Sequence, residues 1–75
     1  MTELVKFIAQ SLVDNPDQVT VTSRENNKNV ILELRVAPED MGKVIGRQGR
    51  IAKAIRTVVK SATLREKKKY IVEIL

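Results

Sequence analysis

Two runs of strict alternation, separated by a stretch of helical period, do most to limit the folds open to this chain. In the first, Val30, Leu32, Leu34 and Val36 alternate with Ile31, Glu33 and Arg35; in the second, Tyr70, Val72 and Ile74 alternate with Ile71, Glu73 and Leu75. Period two predicts a strand for each. Between them, Pro38 suits the first turn of a helix, Glu39 and Asp40 suit its positive end, and Met41, Val44 and Ile45 share a face. A longer helix is predicted from near Gly49, with Ile51, Ile55, Val58 and Ala62 as its apolar stripe and Arg50, Lys53, Arg56 and Lys60 opposite. Strands joined through helices are expected to be parallel neighbours with a right-handed crossover.

Upstream, Thr2 is placed to cap a first helix with Glu3 in its opening turn. Leu4, Ile8 and Leu12 form a stripe with Val5 beside them, and Asn15-Pro16 ends the helix. From Gln18 the period becomes two: Val19, Val21 and Ser23 alternate with Thr20, Thr22 and Arg24. "ENNKN", residues 25–29, is rich in turn formers, so this strand and the next read as a hairpin. "REKKK", residues 65–69, reads as a charged connector. The expected fold class is α+β in the order αββααβ: a three-stranded mixed sheet with three helices on one face. The other face is left for solvent or a partner.

At 75 residues the chain is sized for one small domain, 1–75. It has neither cysteine nor histidine, which removes disulfides, thiolate metal sites and the commonest general base. There is no Walker-type Gly-Lys-Ser/Thr and no convincing carboxylate pair, so an enzyme is disfavoured and no cofactor or metal is expected. No apolar run reaches membrane-spanning length and no signal-peptide pattern is visible; a cytoplasmic protein is the default expectation. Residues 50–64 could in principle lie on a membrane surface, but their apolar face lacks bulky aromatics and is needed for the core.

Charge is unevenly placed. Ten of the fourteen basic residues fall between Met41 and Lys69, where Glu66 is the single acid. That split suits a polyanion partner, and it equally suits a solvated, lysine-rich surface; charge alone does not choose. Phe7 and Tyr70 are the only aromatics. A surface that reads single strands by stacking bases on rings needs more. Nucleic acid would here be met with backbone, charge and aliphatic surface.

The segment "GKVIGRQGRIAKAIR", residues 42–56, puts Gly46 and Gly49 at the bend between two predicted helices. Gly46 is expected to end one helix in a left-handed conformation, and Gly49 to open the next. A turn without β-carbons lets a sugar-phosphate chain approach the main chain, where helix N-terminal amides point outward. An ordinary helix hairpin with a glycine at each bend gives the same pattern. The basic surroundings and the preceding Val44-Ile45 raise the functional reading above it. Arg56 and Lys60 stand evenly between a solvated face and a binding one. Lys67, Lys68 and Lys69 read as a soluble connector or a diffuse attractor. Val59 and Leu64, off the main stripe, read as edge packing or part of a dimer surface.

"VIGRQGRI", Val44 to Ile51, resembles the signature of the KH domain, a module that binds RNA and single-stranded DNA. Its Gly-x-x-Gly loop clamps the backbone of about four nucleotides. The element order is similar to the type II form, and the resemblance covers essentially the whole chain. Residues 30–60 resemble most closely a small single-domain bacterial branch of that family. By resemblance, Gly46, Arg47, Gln48 and Gly49 inherit the phosphate clamp, and one of Val44 and Ile45 lines the groove. Adding the nearest cations gives a candidate RNA-binding set of Lys43, Val44, Ile45, Gly46, Arg47, Gln48, Gly49, Arg50 and Lys53. Ala52 departs from the pattern, since many members carry Ile, Leu or Val there. The resemblance implies an RNA-binding protein of low sequence specificity, acting as a post-transcriptional regulator or RNA chaperone. It also implies a homodimer, or a heterodimer with a KhpB (Jag-type) RNA-binding protein. The alternative is a protein-interaction module whose scaffold mainly recruits another chain.

Overall fold

In the computed structural model, the backbone is described for residues 1–75 and every side chain except that of Arg47, which lies outside the described residues. The elements are α1 (Thr2–Leu12), β1 (Thr20–Glu25), β2 (Asn29–Arg35), α2 (Pro38–Ile45), α3 (Arg50–Ala62) and β3 (Lys69–Ile74), with 3₁₀ turns at Pro16–Gln18 and Arg47–Gly49. The order αββααβ and the α+β class are those expected from periodicity, and the arrangement is that of a type II KH fold.

β2 is central. β1 pairs with it antiparallel, Val21 opposite Leu34 and Ser23 opposite Leu32. β3 pairs with it parallel, Val30 beside Tyr70 and Leu32 beside Val72. Because side chains alternate across a sheet, this register gathers Val30, Leu32, Leu34 and Val72 on one face, all buried. There they form a single apolar cluster with Val5 and Ala9 of α1 and Ile55 and Val59 of α3. The opposite face is largely polar: Arg24 Nε lies 3.0 Å from Glu33 Oε2 and Arg24 Nη2 lies 3.6 Å from Glu73 Oε1, one cation tying all three strands. The hairpin turn is closed by Asn26, whose Oδ1 accepts from the amides of Lys28 and Asn29 at 2.8 Å each, the side-chain turn that favours asparagine at such sites.

The helices differ from expectation in phase. In α3 the buried residues are Ala52, Ile55 and Val59, whereas Val58 is 37% exposed and Ala62 is exposed. Both stripes run through Ile55; the position of the sheet, not side-chain bulk, selects between them. Val59 is therefore core, not edge packing or a dimer surface. In α1 the innermost residues are Val5 and Ala9, with Leu4 and Ile8 half-buried and Leu12 exposed at the helix end. Ala9 is too small to mark a buried helix face by its own apolar surface. Thr2 lies inside α1; the N-cap is Met1, without a side-chain hydrogen bond. α2 packs chiefly against α3 rather than against the strands.

Candidate nucleic-acid interface

The candidate loop is built by two short-range constraints. α2 ends when the Gly46 amide donates to the Gly42 carbonyl at 2.7 Å, and the Gly49 amide then donates to the Gly46 carbonyl at 2.8 Å. Gly46 is not left-handed as expected: its φ is −77° and ψ −175°, an extended conformation open to any residue. What requires glycine is space, because a β-carbon at Gly46 would collide with the Gly42 carbonyl oxygen. The left-handed residues are Gln48, φ 63°, and Gly49, φ 66°. At Gly49 the requirement is conformational, since nothing lies within 4 Å of a β-carbon placed there.

Gly49 is the N-cap of α3 and has no side chain with which to accept from the following amides. The first amides of any helix lack intrahelical acceptors. They lie at the positive end of the dipole of α3, a helix of 13 residues. Gln48, Arg50 and Lys53 are all exposed around this end. The start of α3 thus sets amides that lack intrahelical acceptors beside two exposed cations, an arrangement suited to an anion. The Arg47 side chain lies outside the described residues, so its part in the set is not described by the structure.

The aliphatic pair before the loop is split. Val44 is fully buried, so its side chain holds α2 in place and offers nothing to a ligand, whereas Ile45 is 56% exposed. Ala52, like Val44, is buried, at 5% exposure, so its side chain offers little surface to a ligand. Lys43 leans away from the loop, its Nζ 3.3 Å from Asp14 Oδ1 in a solvent-exposed pair. Such pairs are weakly held and readily exchanged for another anion. Arg56 leans toward the sheet, Nη2 donating to the Val72 carbonyl at 3.4 Å. The basic stripe of α3 therefore divides: Arg50 and Lys53 belong to the loop end, whereas Arg56 turns toward β3 and Lys60 lies one turn further from the loop.

Asp40 was expected only to complement the α2 dipole, and the structure gives it a larger part. It is buried, and its carboxylate accepts from the Asp14 amide at 3.2 Å, the Asn15 amide at 3.0 Å and Asn15 Nδ2 at 3.1 Å. Burial alone would push this carboxyl up, but the three hydrogen bonds and the charge of Lys43 together outweigh it and hold the group below the usual carboxylate range. The contact pins the start of α2, and so the helix that delivers the loop, to the segment following α1. The signal in the sequence was the pairing of an acid in a helical first turn with the turn-forming Asp14-Asn15-Pro16, but nothing local tied the two together.

Among the described residues, no helix is long and apolar enough to cross a membrane. No solved structure gives a significant match to the chain. A family model described as KhpA/KhpB, KH domain matches residues 2–74. Among curated proteins, the RNA-binding protein KhpA of Caldanaerobacter subterraneus subsp. tengcongensis is 65% identical over 75 residues, spanning all of both chains. That of Clostridium perfringens is 63% identical over the same extent. That of Aquifex aeolicus is 47% identical over all of this chain and 95% of its own. Full-length similarity and the family match agree with the fold, and the chain belongs to the KhpA/KhpB KH-domain family.

Proposed function

We propose that the protein binds single-stranded RNA by its sugar-phosphate backbone at the Gly46–Gly49 turn. The observation that carries this reading is the combination of a turn that excludes a β-carbon at Gly46 with a helix start capped by a residue lacking a side chain. Phosphate oxygens accept from the amides opening α3. Arg47, Arg50 and Lys53 add charge, Lys43 joins by exchanging Asp14 for phosphate, and Ile45 supplies the aliphatic surface against a base. Gln48 marks the tip. Val44 acts only by fixing Ile45. So few base contacts give low sequence specificity. RNA binding is also what the names of the KhpA relatives state of them.

One clamp on about four phosphates gives weak binding, on the order of micromolar, with a log–log salt slope near −2 to −3. Useful affinity then requires linked sites, which favours a homodimer or a heterodimer with a KhpB-type RNA-binding protein. A cytoplasmic post-transcriptional regulator or RNA chaperone is the role that fits a weak, unselective, linkable clamp.

The test is the double change Arg47→Asp with Gln48→Asp. Aspartate tolerates the left-handed conformation at position 48 better than most residues, so circular dichroism is expected to show an unchanged fold. Fluorescence anisotropy with a short single-stranded RNA is expected to show affinity reduced at least about tenfold, because the change removes a cation from the loop and adds two negative charges to it. A folded double variant that binds like the parent would refute the loop assignment.

A further inference from the structure

The join between the α1 exit and α2 holds a contact that bears on the loop. Among the described cations of the candidate set, Lys43 alone has an acid partner: its Nζ lies 3.3 Å from Asp14 Oδ1, whereas Arg50 and Lys53 pair with none. We propose that Asp14 is an internal competitor of RNA: its carboxylate holds Lys43 in the free protein, a phosphate displaces it on binding, and the exchange sets the affinity of the site. This rests on the RNA-binding reading and adds to it a governing residue outside the candidate set.

The position of Asp14 does not depend on its pair with Lys43. The Asp14 amide donates to Asp40 Oδ1 at 3.2 Å, and Asn15 donates to Asp40 Oδ2 through its amide at 3.0 Å and through Nδ2 at 3.1 Å. Asp40 and Lys43 are three residues apart in α2 and so share a face. One helix therefore carries both the buried acid that fixes the Asp14 backbone and the exposed cation that the Asp14 side chain meets. With that backbone already fixed, forming the pair orders only two side chains.

Exposure makes the contact exchangeable. The Asp14 side chain is 77% exposed and that of Lys43 is 43% exposed, so water reaches both and the pair is weakly held. Asp40 is 1% exposed and its carboxylate is engaged by three donors, so the join stays in place when Lys43 leaves. Lys43 stands in the last turn of α2, three residues before Gly46. A run of phosphates at the turn offers it several negative charges in place of one, and the polyanion wins the exchange.

The test is a double-mutant cycle on the whole protein, read by fluorescence anisotropy with labelled octauridylate. Asp14→Asn is expected to tighten binding about two- to fivefold, the range of an exposed ion pair. Asp17→Asn, at an exposed acid three residues on with no paired cation, reads the diffuse effect of removing one negative charge and is expected to give less than about 1.5-fold. In the Lys43→Gln background, the gain from Asp14→Asn is expected to shrink to that of Asp17→Asn. On the unaltered protein, carbon-13 NMR is expected to show the Asp14 Cγ resonance moving more than that of Asp17 as octauridylate is added, a readout that stands should a variant fail to fold. The proposal is overturned by equal gains from Asp14→Asn and Asp17→Asn, by a gain undiminished without Lys43, or by an Asp14 resonance that moves no more than that of Asp17. Where the variant with Arg47→Asp and Gln48→Asp binds weakly, any of these results removes the competitor and leaves the loop assignment standing. If that variant binds like the parent while the cycle stays coupled, the loop assignment falls and the competitor stands. A parent protein that binds no octauridylate overturns both.

Discussion

Gly46 and Gly49 are three residues apart and needed for different reasons, and the difference is measurable. A β-carbon at Gly46 meets backbone, the Gly42 carbonyl, which cannot rotate away. Gly46→Ala is therefore expected to cost about 1–3 kcal/mol by forcing the α2 terminus to shift. Gly49→Ala meets no atom and carries only the left-handed penalty, about 1–2 kcal/mol. Urea denaturation compares the two. The structural distinction predicts that Gly46→Ala also moves the amide resonances of Gly42 and Lys43, whereas Gly49→Ala leaves them in place. Both glycines are legible in the sequence, but the left-handed conformation falls at Gly49 and not, as the pattern suggests, at Gly46. A turn's dihedrals depend on how two helices are held, and the Gly-x-x-Gly pattern is compatible with several.

At the scale of elements, the join between the α1 exit and α2 rests on Asp40. Asp40→Asn puts an amide NH₂ where three donors converge, and it is expected to lower the melting temperature by several degrees. The pH dependence has a definite sign. The folded pKa lies below the ordinary value of 3.8, so the stabilisation is fully present above that value and is lost as pH falls through the folded pKa. The gap in stability between parent and Asp40→Asn is thus expected to be widest near neutrality and to narrow below about pH 4, read by urea melts across that range. The strands were legible almost to the residue, because period two has only two phases and β2 shows its buried one plainly. Helix faces were harder: in α1 a stripe drawn through larger residues passes over the buried Ala9, and in α3 two stripes share Ile55 and only the position of the sheet chooses between them.

Over the whole molecule, a chain of 75 residues folds with little margin, roughly 4–11 kcal/mol at typical stability per residue. Leu34 and Ile55 are both fully buried in the one apolar cluster. Truncating either to alanine is expected to cost about 2–5 kcal/mol, and the pair together to leave the chain largely unfolded by circular dichroism. The division of the basic stripe makes a second whole-molecule prediction. Arg50→Gln with Lys53→Gln is expected to bring the salt slope of RNA binding toward zero by about 1–1.5, while Arg56→Gln with Lys60→Gln leaves it unchanged. Equal effects from both pairs would mean that RNA follows the full length of α3. The sequence by itself determined the element order, the parallel pairing of β2 and β3, the place of the loop and the concentration of charge around it, because hydrophobic period, glycine and formal charge are local properties. Only the tertiary structure decided that Val44 is hidden and Ile45 presented, that Asp40 reaches back to Asp14 and Asn15, and that Arg56 turns to the edge of β3. Each of these depends on how separate elements are set against one another, and no period within a single element encodes that.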